Sequence, residues 1–86
     1  MSYTIITPRA VKKQLDALPG SIYERIAVKI QRLAEAPRPA GALKMKGSER
    51  EYRIRIGNYR VRYEIDDQAL TILLLQCKHR KDVYKK

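Results

Sequence analysis

Residues 52–63 read YRIRIGNYRVRY, so that apolar or aromatic residues alternate with arginines on both sides of Gly57-Asn58. A period of two residues is typical of strands that bury one face and expose the other. Gly and Asn both tolerate positive φ, so this pair predicts a two-residue turn between antiparallel strands at 52–56 and 59–65. The turn also predicts the register, which sets the arginines opposite one another: Arg55 faces Arg60, and Arg53 faces Arg62.

Two helices are predicted upstream of this hairpin, because apolar residues recur there at spacings of three and four. The first begins at Pro8, directly after Thr7 as its cap, and its apolar periodicity runs from Arg9. The second begins at Ser21, and Glu24 follows three residues later in the capping-box arrangement. It ends before the segment 37–41, where two prolines and a glycine stop helix formation.

Three further strands complete the prediction. The β-branched residues in 3–7 predict an initial strand, and 42–46 predict a short edge strand whose lysines suit an exposed sheet edge. The apolar run 70–75 lacks alternation, which indicates a strand covered on both faces. The fold class is therefore α+β, with an N-terminal strand and a helix hairpin packed on one face of a mainly antiparallel sheet. Residues 1–86 are expected to form a single domain.

The composition excludes several classes of protein. The chain has 86 residues, of which 44% are hydrophobic and 33% charged, as in globular proteins. With only one cysteine, Cys77, and one histidine, we expect no disulfide, no metal site and no cofactor. The sequence shows no secretory signal and no membrane-spanning run, so a cytoplasmic location and no membrane partner are expected.

The charge balance points to an anionic partner. Nineteen Lys and Arg residues against nine Asp and Glu give a formal net charge of +10. Directly opposed like charges in a hairpin are unfavourable, whereas matched pairs stabilise by roughly 0.2–1 kcal/mol. Guanidinium groups bind phosphate oxygens well, which favours an RNA or DNA backbone as their counterion. The alternative is that the arginines are the solvated outer face of an amphipathic sheet.

The stretch YRIRIGNYRVRYEI (residues 52–65), together with HRKDVY (residues 79–84), resembles the RelE family of bacterial toxins in the RelE/ParE superfamily. The resemblance also covers the initial strand and helix pair. It implies a RelE-like, microbial-RNase-like fold and the activity of a ribosome-dependent endonuclease that cleaves messenger RNA. The implied partners are the ribosome, messenger RNA and a cognate RelB-like antitoxin, which would hold the toxin inactive in a hetero-oligomer.

The resemblance also implies which residues act in RNA cleavage. By motif position these are Arg53, Arg55, Arg60, Arg80 and Tyr84. His79 is added as a candidate acid or base, because the ordinary pKa of histidine is near neutrality. A local hydrogen bond at the end of the last strand is an equally good interpretation of His79. Candidate RNA contacts are Lys44, Lys46, Arg62 and Lys78.

The reaction expected of such a site is attack by an RNA 2′-hydroxyl on the adjacent phosphate. Arginines suit the stabilisation of developing negative charge, but they remain protonated and are poor bases. Two other functions stay open. A ParE-like protein of the same fold would inhibit DNA gyrase without cleaving RNA, and a noncatalytic module would only bind RNA.

Overall fold

The computed structural model of the chain describes residues 2–83, in which helices pack against one face of a five-stranded sheet. The elements in chain order are β1 (Thr4–Ile6), α1 (Arg9–Asp16), α2 (Gly20–Leu33), β2 (Leu43–Lys44), β3 (Glu51–Ile56), β4 (Tyr59–Asp66), β5 (Thr71–His79) and α3 (Arg80–Val83). None of the helices in residues 2–83 has the length and apolar character needed to cross a membrane.

The strand order across the sheet is β1-β5-β4-β3-β2. The first strand, β1, runs parallel to β5, and all other neighbours are antiparallel. This arrangement confirms the predicted α+β class and the mainly antiparallel sheet. The predicted edge strand is also confirmed, although β2 is limited to Leu43–Lys44 and lies at the outer edge beside β3.

The hairpin of β3 and β4 has the predicted register. Ile56 pairs with Tyr59 across the turn, Arg55 with Arg60, and Arg53 with Arg62. Gly57 has a φ of 58°, which a glycine adopts at little cost. The predicted two-residue turn is therefore confirmed.

The core lies between the sheet and the helices. Helix α1 packs against β5, and α2 packs against β1 and β3. From the hairpin the core receives the residues that alternate with the arginines. These are Ile54, Ile56, Val61 and Tyr63 as buried side chains, with Tyr52 and Tyr59 half-buried against them.

Both predicted helix caps are wrong. The residue before α1 is Pro8 and the residue before α2 is Pro19, and neither helix has a side-chain cap from Thr7 or Ser21. Each proline is extended, and its carbonyl accepts the first helical hydrogen bond, from Lys12 N–H in α1 and from Tyr23 N–H in α2. Proline fixes φ and so sets the direction in which the chain enters the helix. Helix α2 therefore begins at Gly20, one residue before Ser21.

The expectation that the last apolar run is covered on both faces is also wrong. Ile72 and Leu74 are buried on the helix side, whereas Leu73 and Leu75 are only half-buried. The pairing of β5 with β4 shifts between Arg62 and Tyr63, so Leu75 is an extra residue in a β-bulge. Burial alternates regularly up to Leu74, and beyond the bulge the next buried residue is Cys77.

Segment 37–41 is fixed to the sheet by polar contacts. The hydroxyl of Tyr63 donates to the carbonyl of Pro37 at 2.8 Å, and burial raises the pKa of Tyr63 to about 12. The guanidinium of Arg38 donates to both carboxylate oxygens of Asp67, at 2.8 and 3.3 Å, and to the hydroxyl of Tyr52 at 3.1 Å. Tyr3 donates its hydroxyl to Asp67 at 2.6 Å. These contacts connect the segment after α2 to β3, to β4 and to the turn after β4, and Tyr3, just before β1, contacts the same turn.

The Asp67 contacts predict an acid-dependent contribution to stability. The hydrogen bonds from Arg38 and then from Tyr3 lower the pKa of Asp67 below its ordinary value of 3.8. A carboxyl whose pKa is lower in the folded state stabilises the fold above its unfolded pKa, and this stabilisation disappears as the pH falls through the folded pKa. Asp67→Asn should therefore be less stable than the wild type at pH 7, and the difference should shrink below about pH 4.

Urea unfolding at pH 7, 5 and 3 measures this difference. Asp16→Asn is the matched control, because Asp16 is exposed on α1 and forms no ion pair with residues of the described range. An Asp67→Asn deficit that stays constant from pH 7 to pH 3 would show that the carboxylate charge does not stabilise the fold.

Candidate functional site

Four arginines occupy the face of the sheet that lies opposite the helices. Arg53 and Arg55 on β3 alternate with buried Ile54, and Arg60 and Arg62 on β4 flank buried Val61. The register then brings the four together as two adjacent cross-strand pairs. Arg55 is exposed, and the other three are half-buried. We call these four residues the arginine face.

A concavity of about 350 Å³ lies at the β2 side of this face. It is lined by Arg53, Arg55 and Arg60, together with Gly41, Leu43 and Ile54. Leu43 pairs with Arg53 and is 54% exposed, so it presents an apolar surface beside three guanidinium groups. We call this feature the arginine concavity. Its donors suit a phosphate, and its apolar wall suits the sugar or base attached to that phosphate.

The fourth arginine is held by a carboxylate. Arg62 Nε donates to Glu51 Oε2 at 2.7 Å, and Nη2 contacts the same oxygen. The Glu51 side chain is only 14% exposed, and Glu51 N–H is itself fixed by the Ser48 hydroxyl at 3.1 Å. The pair offsets part of the repulsion between Arg62 and Arg53. Arg62 does not line the arginine concavity.

The bulge in β5 brings another cation to the arginine face. Beyond Leu75, Lys78 pairs with Arg60 and Gln76 pairs with Arg62. Without the extra residue, Lys78 would share a face with buried Leu74 and point toward α1. Lys78 is half-buried beside Arg60, so the bulge converts an inward lysine into part of the basic surface.

Arg80 begins α3 next to the hairpin turn. Its backbone N–H donates to the carbonyl of Asn58 at 2.6 Å, and its side chain is exposed. This contact places Arg80 at the end of the sheet where Arg55 and Arg60 also lie. Tyr84, the remaining residue implied by the resemblance, lies outside the described residues.

His79 lies on the other side of the sheet. It pairs with Tyr59, whose ring packs toward the core, and the two rings meet edge to face at a centroid distance of 5.0 Å. His79 Nδ1 accepts a hydrogen bond from Lys81 N–H at 3.1 Å, which is the local role anticipated as its alternative. Nearby Cys77 is buried, and burial raises the pKa of its thiol to about 11. The thiol is therefore protonated at neutral pH and is a poor nucleophile.

The other candidate RNA contacts are dispersed. Lys44 pairs with Tyr52 and so shares the helix-side face, whereas Lys46 is exposed in the turn after β2. Sequence reasoning missed Leu43 and Gly41, which line the arginine concavity, and the pairing of Glu51 with Arg62. Within residues 2–83, no group of three or more His, Cys, Asp or Glu side chains is arranged to hold a metal ion.

Comparison with known proteins shows the family to which the chain belongs. The family model described as "ParE toxin of type II toxin-antitoxin system, parDE" matches residues 5–84. Toxin RelE3 of Methanocaldococcus jannaschii is 31% identical over 84 residues, which cover 93% of each chain. The chain belongs to the RelE/ParE family of toxins. Toxin RelG of Mycobacterium tuberculosis is 28% identical over 87 residues and is covered over its full length, as is this chain.

Solved structures of RelE proteins share the fold. The archaeal RelE-RelB complex from Pyrococcus horikoshii contains a chain that is 30% identical, with a TM-score of 0.83 and coverage of 93% of this chain and 97% of that chain. The RelB-RelE antitoxin-toxin complex from Methanococcus jannaschii gives 30% identity and a TM-score of 0.77, with coverage of 93% and 95%. The protein is thus a RelE-type toxin, as its hairpin and C-terminal sequence predicted.

The contact between Glu51 and Arg62 predicts a measurable coupling in this RelE-type chain. Glu51→Gln and Arg62→Gln should each destabilise the fold, and the double variant should be destabilised by less than the sum. We expect a coupling of about 1 kcal/mol at 0.1 M salt, because the pair is partly buried and hydrogen-bonded, and a smaller value at 1 M salt. Urea unfolding of the four proteins provides the double-mutant cycle.

Glu64→Gln combined with Arg62→Gln is the control cycle. Glu64 lies opposite Glu51 in the register, but it forms no ion pair with the residues described here. Equal coupling in the two cycles would mean that the field of the whole face, and not the contact with Glu51, holds Arg62.

Proposed function

We propose that this toxin is a ribosome-dependent endoribonuclease that cleaves messenger RNA in the ribosomal A site and thereby inhibits translation. The observation that supports this most strongly is the arginine concavity, where Arg53, Arg55 and Arg60 meet around one opening. A scissile phosphate bound there would be surrounded by fork-shaped donors from two adjacent strands. Arg80, at the same end of the sheet, is the fourth proposed contributor.

In the proposed reaction the 2′-oxygen attacks the adjacent phosphorus and the bond from phosphorus to the 5′-oxygen breaks. The 2′-hydroxyl loses its proton to solvent water, and the products are a 2′,3′-cyclic phosphate and a 5′-hydroxyl whose oxygen takes a proton from solvent. Negative charge grows on the nonbridging oxygens in the transition state, and Arg60 and Arg80 would stabilise it. Arg53 and Arg55 would orient the backbone on either side, and Tyr84 would stack on an unpaired base.

The residues proposed to surround the scissile phosphate include no good general base. Arginines stay protonated at neutral pH and do not accept the 2′ proton. His79 lies on the opposite face beside Tyr59, so we exclude it from the proposed proton transfer. The reaction therefore depends on holding the 2′-oxygen in line with the leaving oxygen, which is worth many powers of ten in rate when the geometry is enforced. The ribosome would enforce it on a message in the A site.

We propose an antitoxin as the protein that binds this toxin when the toxin is not bound to its target. The Pyrococcus horikoshii and Methanococcus jannaschii relatives form complexes with RelB. The net charge of +10 favours an acidic partner that would cover the arginine face. We propose a RelB-like antitoxin and a toxin-antitoxin hetero-oligomer in the cytoplasm, where translation occurs.

A ParE-like gyrase inhibitor is the second candidate function, because the matching family model is described as a ParE toxin. Assays of messenger RNA cleavage and of gyrase supercoiling on the same preparation separate the two. Cuts in phase with codons on translated messages support the endoribonuclease. Inhibited supercoiling without such cuts supports the ParE-like function.

Arg60→Ala should lower cleavage of translated messages by about 100-fold or more, which is the usual effect of removing one transition-state donor. Arg80→Ala should have a similar effect. Arg62→Ala should cost clearly less, because that guanidinium is held by Glu51 and lies outside the arginine concavity. Primer extension on a message in an in vitro translation reaction measures the cuts. A folded Arg60→Ala variant that cleaves at the wild-type rate would exclude Arg60 from catalysis.

His79→Asn should leave cleavage within about threefold of the wild type and its pH profile unchanged, since an exchange away from the reacting groups has little effect on rate. Asn keeps an acceptor near the position of Nδ1 for Lys81 N–H but has no titratable group. Single-turnover rates from pH 5.5 to 8.5 provide the comparison. Loss of an inflection near neutral pH in the variant would restore His79 as the acid or base.

A further inference from the structure

A second concavity lies behind the edge of β3, on the side of the helices. Strand β2 pairs only with Tyr52 and Arg53, so no strand of the described range covers β3 from Ile54 to Ile56 on that side. A cavity of about 230 Å³ opens there between β3, the end of α2 and segment 36–41. We call it the α2 cleft.

The α2 cleft combines cations with an apolar floor. Its rim carries Lys29 and Arg32 from α2 and Arg55 from β3, and its floor is formed by residues that include Leu33, Ile54 and Ile56. Among residues 2–83, no acidic side chain lines it. Lys29, Arg32 and Arg55 form no ion pair with any residue in the described part of the chain. Its occupant should therefore carry both negative charge and a flat apolar group.

The α2 cleft adjoins the arginine concavity. Gly41, Ile54 and Arg55 line both features, so Arg55 stands between them. A Cβ placed on Gly41 would meet no heavy atom within 4 Å, so the space beside this shared lining residue is open. One polymer with a charge at every repeat could occupy both concavities.

Helix α2 adds further cations beside the two concavities. Arg25, Lys29 and Arg32 are spaced by four and three residues and therefore share one side of the helix. All three are exposed, and the Arg25 guanidinium lies 3.7 Å from the position of a Cβ on Gly57 in the hairpin turn. These three cations therefore form a row along the uncovered edge of β3, from the hairpin turn to the α2 cleft.

We propose that the α2 cleft binds the nucleotide next to the one held in the arginine concavity, on the same RNA strand. Lys29 and Arg32 bind its phosphate, its base lies on the apolar floor, and Arg55 contacts the phosphate between the two nucleotides. Single-stranded RNA satisfies both demands of the cleft, since unstacked bases bind apolar surfaces while the backbone follows cationic grooves. This assignment rests on the proposed RNA function and adds a second subsite to it.

The test is equilibrium binding of fluorescein-labelled 2′-O-methyl oligouridylates, which lack the attacking hydroxyl and cannot be cleaved. Lys29→Gln/Arg32→Gln should bind the hexamer roughly tenfold more weakly than the wild type at 0.1 M salt. The slope of log affinity against log salt should fall by about 0.7 for each phosphate that the variant no longer neutralises. A dimer without terminal phosphates lacks the phosphate assigned to Lys29 and Arg32, so it should bind both proteins within about twofold.

Lys12→Gln/Lys13→Gln is the matched control, because it removes the same charge from exposed positions of α1 that line neither concavity. It should bind the hexamer within about twofold of the wild type. Thermal melting by circular dichroism checks folding, and Lys29→Arg/Arg32→Lys should restore hexamer binding.

Three results would overturn the assignment: hexamer binding unchanged in Lys29→Gln/Arg32→Gln, an equal reduction for dimer and hexamer, or an equal reduction in the α1 control. An equal reduction for a labelled hexaglutamate peptide would also overturn it in favour of an acidic protein segment. The proposed function is judged separately by cleavage of translated messages. If cleavage requires Arg60 but Lys29→Gln/Arg32→Gln binds the hexamer as the wild type does, only the assignment of the α2 cleft is rejected. A hexamer effect without any cleavage rejects only the enzyme.

Discussion

Burial of one face of the hairpin of β3 and β4 determines where the arginines lie. Ile54, Ile56, Val61 and Tyr63 are at most 7% exposed, and each such side chain contributes about 1.5–3 kcal/mol on leaving water. Two opposed arginine pairs are unfavourable, on the scale of the roughly 0.2–1 kcal/mol that a matched cross-strand pair contributes. Burial therefore exceeds the repulsion several-fold, and the strand period fixes four guanidinium groups on the other face. The fold therefore tolerates four arginines on one face of the hairpin, an arrangement that the strands alone would not favour.

This part of the structure was predictable because its determinants are local. The alternation in residues 52–63 and the Gly57-Asn58 turn define both faces and the register without any information from the rest of the chain. The bulge at Leu75 was not predictable in the same way. The residues around it, from Ile72 to Leu75, are all apolar, so either phase buries hydrophobic area equally well. Only the polar positions that follow, Gln76 and Lys78, carry a signal, because the unbulged phase would turn both toward the core.

The parts of the site that sequence reasoning missed depend on contacts between distant segments. Segment 37–41 lines the α2 cleft and, through Gly41, the arginine concavity. It is held by the contact of Pro37 with Tyr63 and by that of Arg38 with Asp67. Those partners are separated by 26 and 29 residues. No periodicity encodes such pairs. The predicted helix caps failed for a different reason, since Pro8 and Pro19 hold the N-cap positions that the general preference for serine and threonine assigned to Thr7 and Ser21.

The position of His79 bears on how a site of this kind would act. Its face is set by the same bulge that brings Lys78 beside Arg60, because residues 78 and 79 point to opposite sides of one strand. The register that adds a cation to the arginine face therefore removes the histidine from it. A surface built in this way is strong in stabilising phosphate charge and weak in moving protons. Under the proposed function, most of the rate must then come from the alignment of the RNA, so catalysis and ribosome docking would be a single requirement. Additional phosphate contacts along the strand, such as those assigned to the α2 cleft, serve that alignment directly.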